Sequence, residues 1–258
     1  MIESFPIPKG RRLAPGHFRA LAAGLAAGVM AFVSGGAAQA VQIDPDRRAA
    51  AGGHGATGHV SCGSGAGTAQ LVGSGLTIVT AAHVLFGRNG LRGDASNCRF
   101  EVMIGGQRLS APIDVTRVRA GTSQPYAAHA SHDWAVARLA APLSGISPYA
   151  LSSGVARGQG VTLVSGRTLN SARTLTAESC LVRALREAEG GREVLIDCSA
   201  EAGDSGAALL DRSGRVAAIY VGFRSTAPQR QQAFSSDHYN FAVAVSPRMR
   251  AALAELAR

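Results

Sequence analysis

Short apolar runs separated by turn residues constrain the fold of this chain more than any other feature. Between Cys62 and Ser246 the runs are β-branched or alternate with polar residues, and Gly, Pro, Ser or Asn bound them. Nothing between these two residues has the spacing of a long helix. The sequence therefore predicts an all-β protein, with its 32 glycines supplying many tight turns. The runs are Leu71–Val72, Leu76–Thr80, Phe100–Ile104, Trp134–Leu139, Val161–Val164, Leu181–Leu185, Val194–Ile196, Val216–Val221 and Phe241–Val245.

The C-terminal tail is the one segment after Cys62 with a helical pattern. Pro247 opens it, and Met249, Leu253 and Leu256 recur at helical spacing. Upstream, two prolines with glycine and serines interrupt the strands at Pro142–Pro148. This break predicts two halves, residues 58–145 and residues 146–258 with the terminal helix. Each half is expected to close into a small barrel that removes its own sheet edges.

The first 40 residues have the pattern of a secretory signal peptide. Basic residues precede an apolar run of 13 residues, Leu21–Val33, which is too short to span a bilayer comfortably. Small residues ending Ala38-Gln39-Ala40 follow, which predicts cleavage after Ala40. An uncleaved membrane anchor is the alternative, but no strong stop-transfer flank follows the run. Residues 41–57 have little apolar pattern and are predicted to form a flexible N-terminal segment.

The positive charge does not indicate a nucleic-acid partner. Removing residues 1–40 leaves 22 arginines and 16 acidic residues, a net charge of +6. Such a charge attracts anions, but no run of consecutive arginines exceeds two and no aromatic residues interleave with them. We therefore interpret the charge as a solvated surface and expect no nucleic-acid binding.

All four cysteines lie after the predicted cleavage site, as expected for disulfides in an exported chain. Four cysteines allow three pairings. A hairpin centred on Glu189 places Cys180 opposite Cys198, close enough for a bridge. This register favours Cys180–Cys198 and, by elimination, Cys62–Cys98. No C-x-x-C motif occurs, so we expect no metal site.

Three segments carry residues suited to nucleophilic catalysis. Thr80-Ala81-Ala82-His83 ends an apolar strand, where a rigid scaffold can hold a base. Asp133 immediately precedes the run Trp134–Leu139, where its carboxylate can orient an imidazole. Gly203-Asp204-Ser205-Gly206 places a serine on a tight turn. Each segment alone is a weak signal, because caps, surface histidines and glycine turns are common.

Together, in the order His, Asp, Ser, the three segments resemble the chymotrypsin/trypsin-like serine proteases, in particular the compact bacterial secreted members. The likeness extends over roughly residues 58–257. It implies two six-stranded antiparallel Greek-key β-barrels with a C-terminal helix. It also implies a triad of His83, Asp133 and Ser205, an oxyanion hole formed by the N–H groups of Gly203 and Ser205, and no cofactor.

The expected function is thus a secreted or periplasmic serine endopeptidase that acts on protein or peptide substrates through an acyl-enzyme. We expect a monomer with no stable membrane insertion after signal cleavage. An α/β-hydrolase is excluded, because that class needs G-x-S-x-G and the order Ser, acid, His. The alternative is a catalytically silent, protease-like binding protein.

The sequence departs from the family pattern around the nucleophile. Ala207 and Ala208 replace the usual Gly-Pro, and Val84 replaces a cysteine after the histidine. No Ile-Val-Gly-Gly segment exists to pair with Asp204, so we expect no trypsin-type activation cleavage and an arginine or backbone partner for this carboxylate.

Substrate preference is the least determined property. The resemblance places Ser199 at the base of the substrate pocket, with Tyr220 and Gly222 in its wall. Because an acid at the base would select Arg or Lys, Ser199 argues against a trypsin-like preference. His238 is expected to face solvent, with a position in the pocket as the alternative.

Overall fold

The computed structural model describes residues 41–169, 172–228 and 230–258, with fifteen strands and two α-helices. The predicted signal peptide lies outside these residues. Within them, no helix is both long and apolar enough to cross a membrane.

The strands fall into two groups, separated by the connection between Leu139 and Gly160. Those before it are β1 Arg48–Ala50, β2 Thr57–Cys62, β3 Gly65–Val72, β4 Thr77–Thr80, β5 Phe86–Gly87, β6 Gly90–Leu91, β7 Cys98–Ile104, β8 Gln107–Ala120 and β9 Ala135–Leu139. Those after it are β10 Gly160–Leu169, β11 Ala172–Ala188, β12 Gly191–Ile196, β13 Ala208–Leu210, β14 Val216–Ser225 and β15 His238–Ala244.

Two closed antiparallel barrels form the molecule. The first follows the order β2-β3-β4-β9-β8-β7. The second follows β11-β10-β13-β14-β15-β12 and closes through the pairing of β11 with β12, while β1 is added outside it on β11. This confirms the predicted pair of six-stranded barrels. Large apolar side chains with almost no exposure fill both, including Leu71, Ile78, Phe100, Leu163 and Ile219.

Both helices are short. Helix α1, Ala82–Leu85, follows β4 directly, and α2 runs from Pro247 to Leu256. The hydroxyl of Ser246 caps α2 by accepting a hydrogen bond from the Met249 N–H at 3.2 Å. The α2 face that includes Met249, Leu253 and Leu256 is buried. The predicted C-terminal helix is therefore present, and its apolar spacing marks the buried face.

The structure contains the two predicted disulfides. Cys62 bonds Cys98 across the β2–β7 pair, where the two residues are register partners. Cys180 bonds Cys198 near the open end of the β11–β12 hairpin. The pairing of Val182 with Ile196 agrees with a register centred on Glu189, but a bulge at Arg183 shifts it toward the turn. Each bridge therefore lies within one barrel.

The N-terminal arm, residues 41–50, differs from the flexible segment that the sequence predicts. Val41 is fully buried and forms an antiparallel bridge with Ala200, and β1 adds to β11 with Arg48 opposite Glu178. The arm lacks apolar periodicity because backbone hydrogen bonds and ion pairs attach it to the second barrel. Its order depends on partners more than 120 residues away in the chain.

The arm covers a buried carboxylate, Glu178. Its oxygens accept hydrogen bonds from the Ser199 N–H at 2.9 and 3.1 Å, and Arg47 and Arg48 lie 3.5 and 3.9 Å away. Burial raises the pKa of Glu178 to about 7, because loss of hydration outweighs the hydrogen bond and the two arginines. The folded protein therefore binds a proton here that the unfolded chain releases at about pH 4.5.

Replacing Glu178 with Gln should remove this pH dependence. The stability from protonated Glu178 is fully present below pH 4.5 and is lost as the pH rises through about 7. We expect Glu178→Gln to gain stability relative to wild type across this window, by roughly 3 kcal/mol. Urea unfolding at several pH values measures the difference. Glu189→Gln, at an exposed glutamate, is the control and should follow wild type. Parallel profiles for wild type and Glu178→Gln would contradict the prediction.

Candidate active site

Pairing of β4 with β9 brings His83 and Asp133 together. Thr80 at the end of β4 is the register partner of Ala135 at the start of β9. His83 follows Thr80 by three residues and Asp133 precedes Ala135 by two, so the two side chains meet at the same barrel end. The Asp133 Oδ1 accepts from the His83 N–H at 2.8 Å, and Oδ2 lies 2.6 Å from Nδ1 of the ring.

This contact fixes the orientation of the imidazole. An ionised carboxylate only accepts hydrogen bonds, so the ring proton lies on Nδ1 and Nε2 remains a free lone pair. The backbone bond to the same carboxylate prevents Asp133 from turning away. His83 is thus suited to act as a base through Nε2.

Arg92 secures the helix that carries His83. Its Nε donates to the carbonyl oxygens of His83 at 3.0 Å and Phe86 at 3.2 Å, and its guanidinium lies over the Tyr126 ring. A four-residue helix has little stability of its own, because the free-energy cost of nucleating a helix exceeds the stabilisation from a single hydrogen-bonded turn. Side-chain bonds to its carbonyl groups therefore hold it in place.

Ser205 lies on a tight turn with glycines on either side. Gly203 and Gly206 have φ values of 92° and 85°, in the left-handed region where a side chain is strained. In the described part of the chain, the N–H groups of Gly203 and Ser205 donate to no acceptor, whereas those of Asp204 and Gly206 are bonded to carbonyl groups. The turn therefore presents two free donors beside the serine.

Residues of the first barrel hold the Ser205 turn close to the segment that carries His83. The Thr68 N–H donates to the Ser205 carbonyl oxygen at 2.8 Å, and its hydroxyl donates to that of Gly203 at 2.9 Å. A Cβ on Gly67 would lie 2.6 Å from the Ser205 carbonyl oxygen and 2.8 Å from a methyl group of Val84, the residue after His83. The serine turn therefore packs against the barrel that carries His83 and Asp133, next to the residue that follows His83.

Asp204 has the kind of partner that the sequence suggests. Its Oδ2 lies 2.6 Å from Arg48 Nη2 and accepts from the Glu201 N–H at 2.8 Å, while the Ser165 hydroxyl donates to Oδ1 at 2.5 Å. Both an arginine and a backbone group therefore contact this buried carboxylate. No sequence signal distinguishes Arg48 from the other arginines.

The predicted pocket residues are arranged differently from the expectation. Ser199 is fully buried, and its hydroxyl accepts hydrogen bonds from the N–H groups of Ile43 at 3.1 Å and Asp44 at 2.9 Å. The Tyr220 hydroxyl donates to Asn240 Oδ1 at 3.0 Å, and burial raises the pKa of this phenol. Gly222 alone of the three is partly exposed. The backbone of the N-terminal arm therefore hydrogen-bonds the Ser199 hydroxyl, which was expected to lie at the base of the pocket.

His238 is buried, so the solvent-facing prediction is wrong. Its Nδ1 lies 2.7 Å from the Ser225 hydroxyl, and Nε2 is 3.5 Å from the Gln42 carbonyl oxygen. The arm thus covers this side chain as well. The sequence analysis also missed four residues that contact this region, because only the folded structure brings them near it. They are Arg48, Thr68, Arg92 and Ser165.

Gly206 should be intolerant of any side chain. A Cβ there would lie 2.1 Å from the Thr68 carbonyl oxygen and 2.2 Å from the Thr80 hydroxyl, in addition to the strain of its positive φ. We expect Gly206→Ala to lower the free energy of unfolding by roughly 3 kcal/mol or more. Gly214→Ala is the matched control, because Gly214 also has a positive φ but has no atom within 4 Å of the added carbon. That variant should lose only about 1 kcal/mol. Equal losses in urea unfolding would contradict the packing argument.

Comparison with solved structures supports the fold. A Glu endopeptidase in complex with MPD is 13% identical and aligns with a TM-score of 0.66, covering 83% of this chain and 98% of its own. The MamO protease domain from Magnetospirillum magneticum is 15% identical with a TM-score of 0.53, covering 78% and 96%. Deg5 is 19% identical with a TM-score of 0.51, covering 77% and 87%. At these identities the likeness establishes the fold alone.

Sequence comparison establishes the family. The search of curated protein sequences found no match. The profile of the trypsin-like peptidase domain matches residues 67–219, which is more than half of the chain. This match includes the three segments that carry His83, Asp133 and Ser205. The chain therefore belongs to the trypsin-like peptidase family and is a serine endopeptidase.

Proposed function

We propose that this protein is a secreted or periplasmic serine endopeptidase whose catalytic triad is His83, Asp133 and Ser205. The observation that carries the proposal is the double contact of the Asp133 carboxylate with His83, at 2.8 Å to its N–H and 2.6 Å to Nδ1. This contact fixes the tautomer of the imidazole, with the proton on Nδ1 and the Nε2 lone pair available, which is the arrangement that a general base requires.

The mechanism follows from the groups at the site. Nε2 of His83 takes the hydroxyl proton of Ser205 as Oγ bonds to the carbonyl carbon of the substrate. The resulting oxyanion accepts hydrogen bonds from the N–H groups of Gly203 and Ser205, which are the free donors of the turn. The imidazolium then gives its proton to the leaving amine as the C–N bond breaks. Water, deprotonated by His83, hydrolyses the acyl-enzyme and regenerates Ser205.

An open strand edge beside the nucleophile suits an extended polypeptide. The Tyr220 carbonyl accepts from the Gly206 N–H at 2.8 Å, so the middle of β14 lies next to the serine turn. Beyond Tyr220, β14 pairs with β15 on one side. Within the described ranges, no strand pairs with its other side from Val221 to Ser225. An unpaired edge can bind a substrate segment as an added strand.

The proposed location rests on the cysteines. All four are in disulfides, one in each barrel. Such bonds persist in oxidising compartments, which include the periplasm and the extracellular space. The predicted cleavage after Ala40 would deliver the chain there, with Val41 at its start.

Covalent labelling tests the nucleophile directly. A fluorophosphonate probe should label the wild-type protein, since the probe mimics the acyl-transfer centre and reacts with an activated serine. Ser205→Ala should abolish labelling while leaving the unfolding transition within a few degrees of wild type. If correctly folded wild-type protein does not react, the chain is a catalytically silent binding protein and the proposal fails.

Substitution of Asp133 tests the role of the carboxylate. Asp133→Asn retains the shape of the side chain but can reverse the ring tautomer, so kcat on a peptide substrate should fall by about 10³–10⁴-fold. KM should change much less, because Asp133 lies behind the imidazole. Asp237→Asn, at an exposed aspartate of the second barrel, is the control and should retain wild-type kcat. A similar kcat for Asp133→Asn and wild type would remove Asp133 from the triad.

A further inference from the structure

The carboxylate of Asp204 is buried directly before the proposed nucleophile. Asp204 has no solvent exposure, and its neighbours in sequence, Gly203 and Ser205, supply the two free N–H groups of the turn. A buried carboxylate is costly unless a cation and hydrogen-bond donors compensate for its lost hydration. The orientation of this side chain is therefore coupled to the backbone that forms the oxyanion hole.

Arg48 supplies the cation from the N-terminal arm. Its Nη2 lies 2.6 Å from Asp204 Oδ2 and donates to the Ser199 carbonyl oxygen at 3.2 Å. The Arg48 side chain is itself only 8% exposed, so little solvent screens the pair. One guanidinium thus binds both ends of the segment Ser199–Asp204.

The rest of the arm binds the same segment. The Ala200 N–H donates to the Val41 carbonyl oxygen at 3.0 Å, and the Gln42 side chain donates to the Ala200 carbonyl oxygen at 3.3 Å. The N–H groups of Ile43 and Asp44 bond the Ser199 hydroxyl. Segment 199–204 therefore has arm contacts along its length and leads directly into the serine turn.

We propose that Arg48 is a positioning residue that acts through Asp204 on the N–H groups of Gly203 and Ser205. This inference rests on the proposed function, because it concerns the same oxyanion hole. Without Arg48 the Asp204 carboxylate loses its cation and keeps only the Ser165 hydroxyl and the Glu201 N–H as donors. A buried carboxylate without a cation is expected to turn toward water, and this turn shifts the backbone between Gly203 and Ser205 and moves both donors away from the oxyanion.

The consequence is an active site that is complete once the arm is seated. The cation for Asp204 is an internal side chain, so no cleavage within the folded chain is needed to create it. Arg48 is then part of the catalytic apparatus, although it does not contact the reacting atoms. Both acceptors are reached from one nitrogen, Nη2, whose two N–H groups can bond the Asp204 carboxylate and the Ser199 carbonyl oxygen at once.

The test compares Arg48→Met with Arg47→Met. Arg47 is the matched control, since it lies on the same arm and its ion pairs are with Asp44, Glu178 and Asp197. We expect kcat for a peptide substrate to fall about 100-fold or more in Arg48→Met, the size of effect produced by losing an oxyanion donor. KM should change less than about threefold, because the substrate-binding edge of β14 is untouched. Arg47→Met should retain kcat within about threefold.

A double variant distinguishes positioning from a merely structural role. If Arg48 acts by compensating the charge of Asp204, adding Asp204→Asn to Arg48→Met should raise kcat at least about tenfold above that of Arg48→Met alone. Arg48→Lys should retain more kcat than Arg48→Met, because it restores the charge. Loss of arm stability alone would give no recovery in the double variant, and that result would overturn the proposal.

Folding and catalytic failure are separable in this series. Thermal unfolding and the fluorophosphonate labelling rate are measured on each variant. If Arg48→Met does not fold, Arg48→Lys and the double variant carry the test through their kcat values. Wild-type levels of kcat in folded Arg48→Met would refute the role of Arg48 while leaving the triad intact. Absence of labelling in wild type would instead refute the proposed function.

Discussion

A single buried threonine, Thr68, connects the two barrels at the point where the proposed chemistry takes place. His83 and Asp133 belong to the first barrel and Ser205 to the second, so neither barrel contains a complete site. The Thr68 N–H and hydroxyl bond the carbonyl groups of Ser205 and Gly203, and its own carbonyl accepts from the Thr80 hydroxyl at 2.7 Å. Because Thr80 precedes the His83 helix, the serine turn and the histidine share one anchor.

This anchor extends into a buried polar network. The Thr68 hydroxyl lies 3.2 Å from that of Ser165, which donates to Asp204, which pairs with Arg48. The first barrel, the second barrel and the N-terminal arm are thus joined through four side chains. A network in which each member has partners becomes rigid in a low-dielectric interior. The position of the serine turn is therefore set by contacts behind it, because Gly203 and Gly206 contribute no side chains that could hold it.

The parts of the structure that the sequence predicts are those set by local pattern. Apolar runs mark most strands, the spacing of Met249, Leu253 and Leu256 marks the terminal helix, and the hairpin register pairs Cys180 with Cys198. Strand β8, Gln107–Ala120, was missed because half of its residues are polar and only Ala111 and Ile113 are buried. The arm was missed for a related reason. Its attachment depends on ion pairs and backbone bonds to residues distant in sequence, which leave no periodic signal.

The difference between Glu178 and Asp204 explains why one arginine can serve the serine turn. Both carboxylates are buried and both lie near Arg48, at 3.9 Å and 2.6 Å. Two full negative charges at these distances would divide the attraction of the guanidinium. The raised pKa of Glu178 allows this residue to take up a proton near neutral pH, while the Ser199 N–H still bonds its oxygens. As Glu178 becomes neutral, the charge of Arg48 interacts mainly with Asp204. The 2.6 Å contact between Arg48 and Asp204 is then the main attraction that attaches the N-terminal arm to the serine turn.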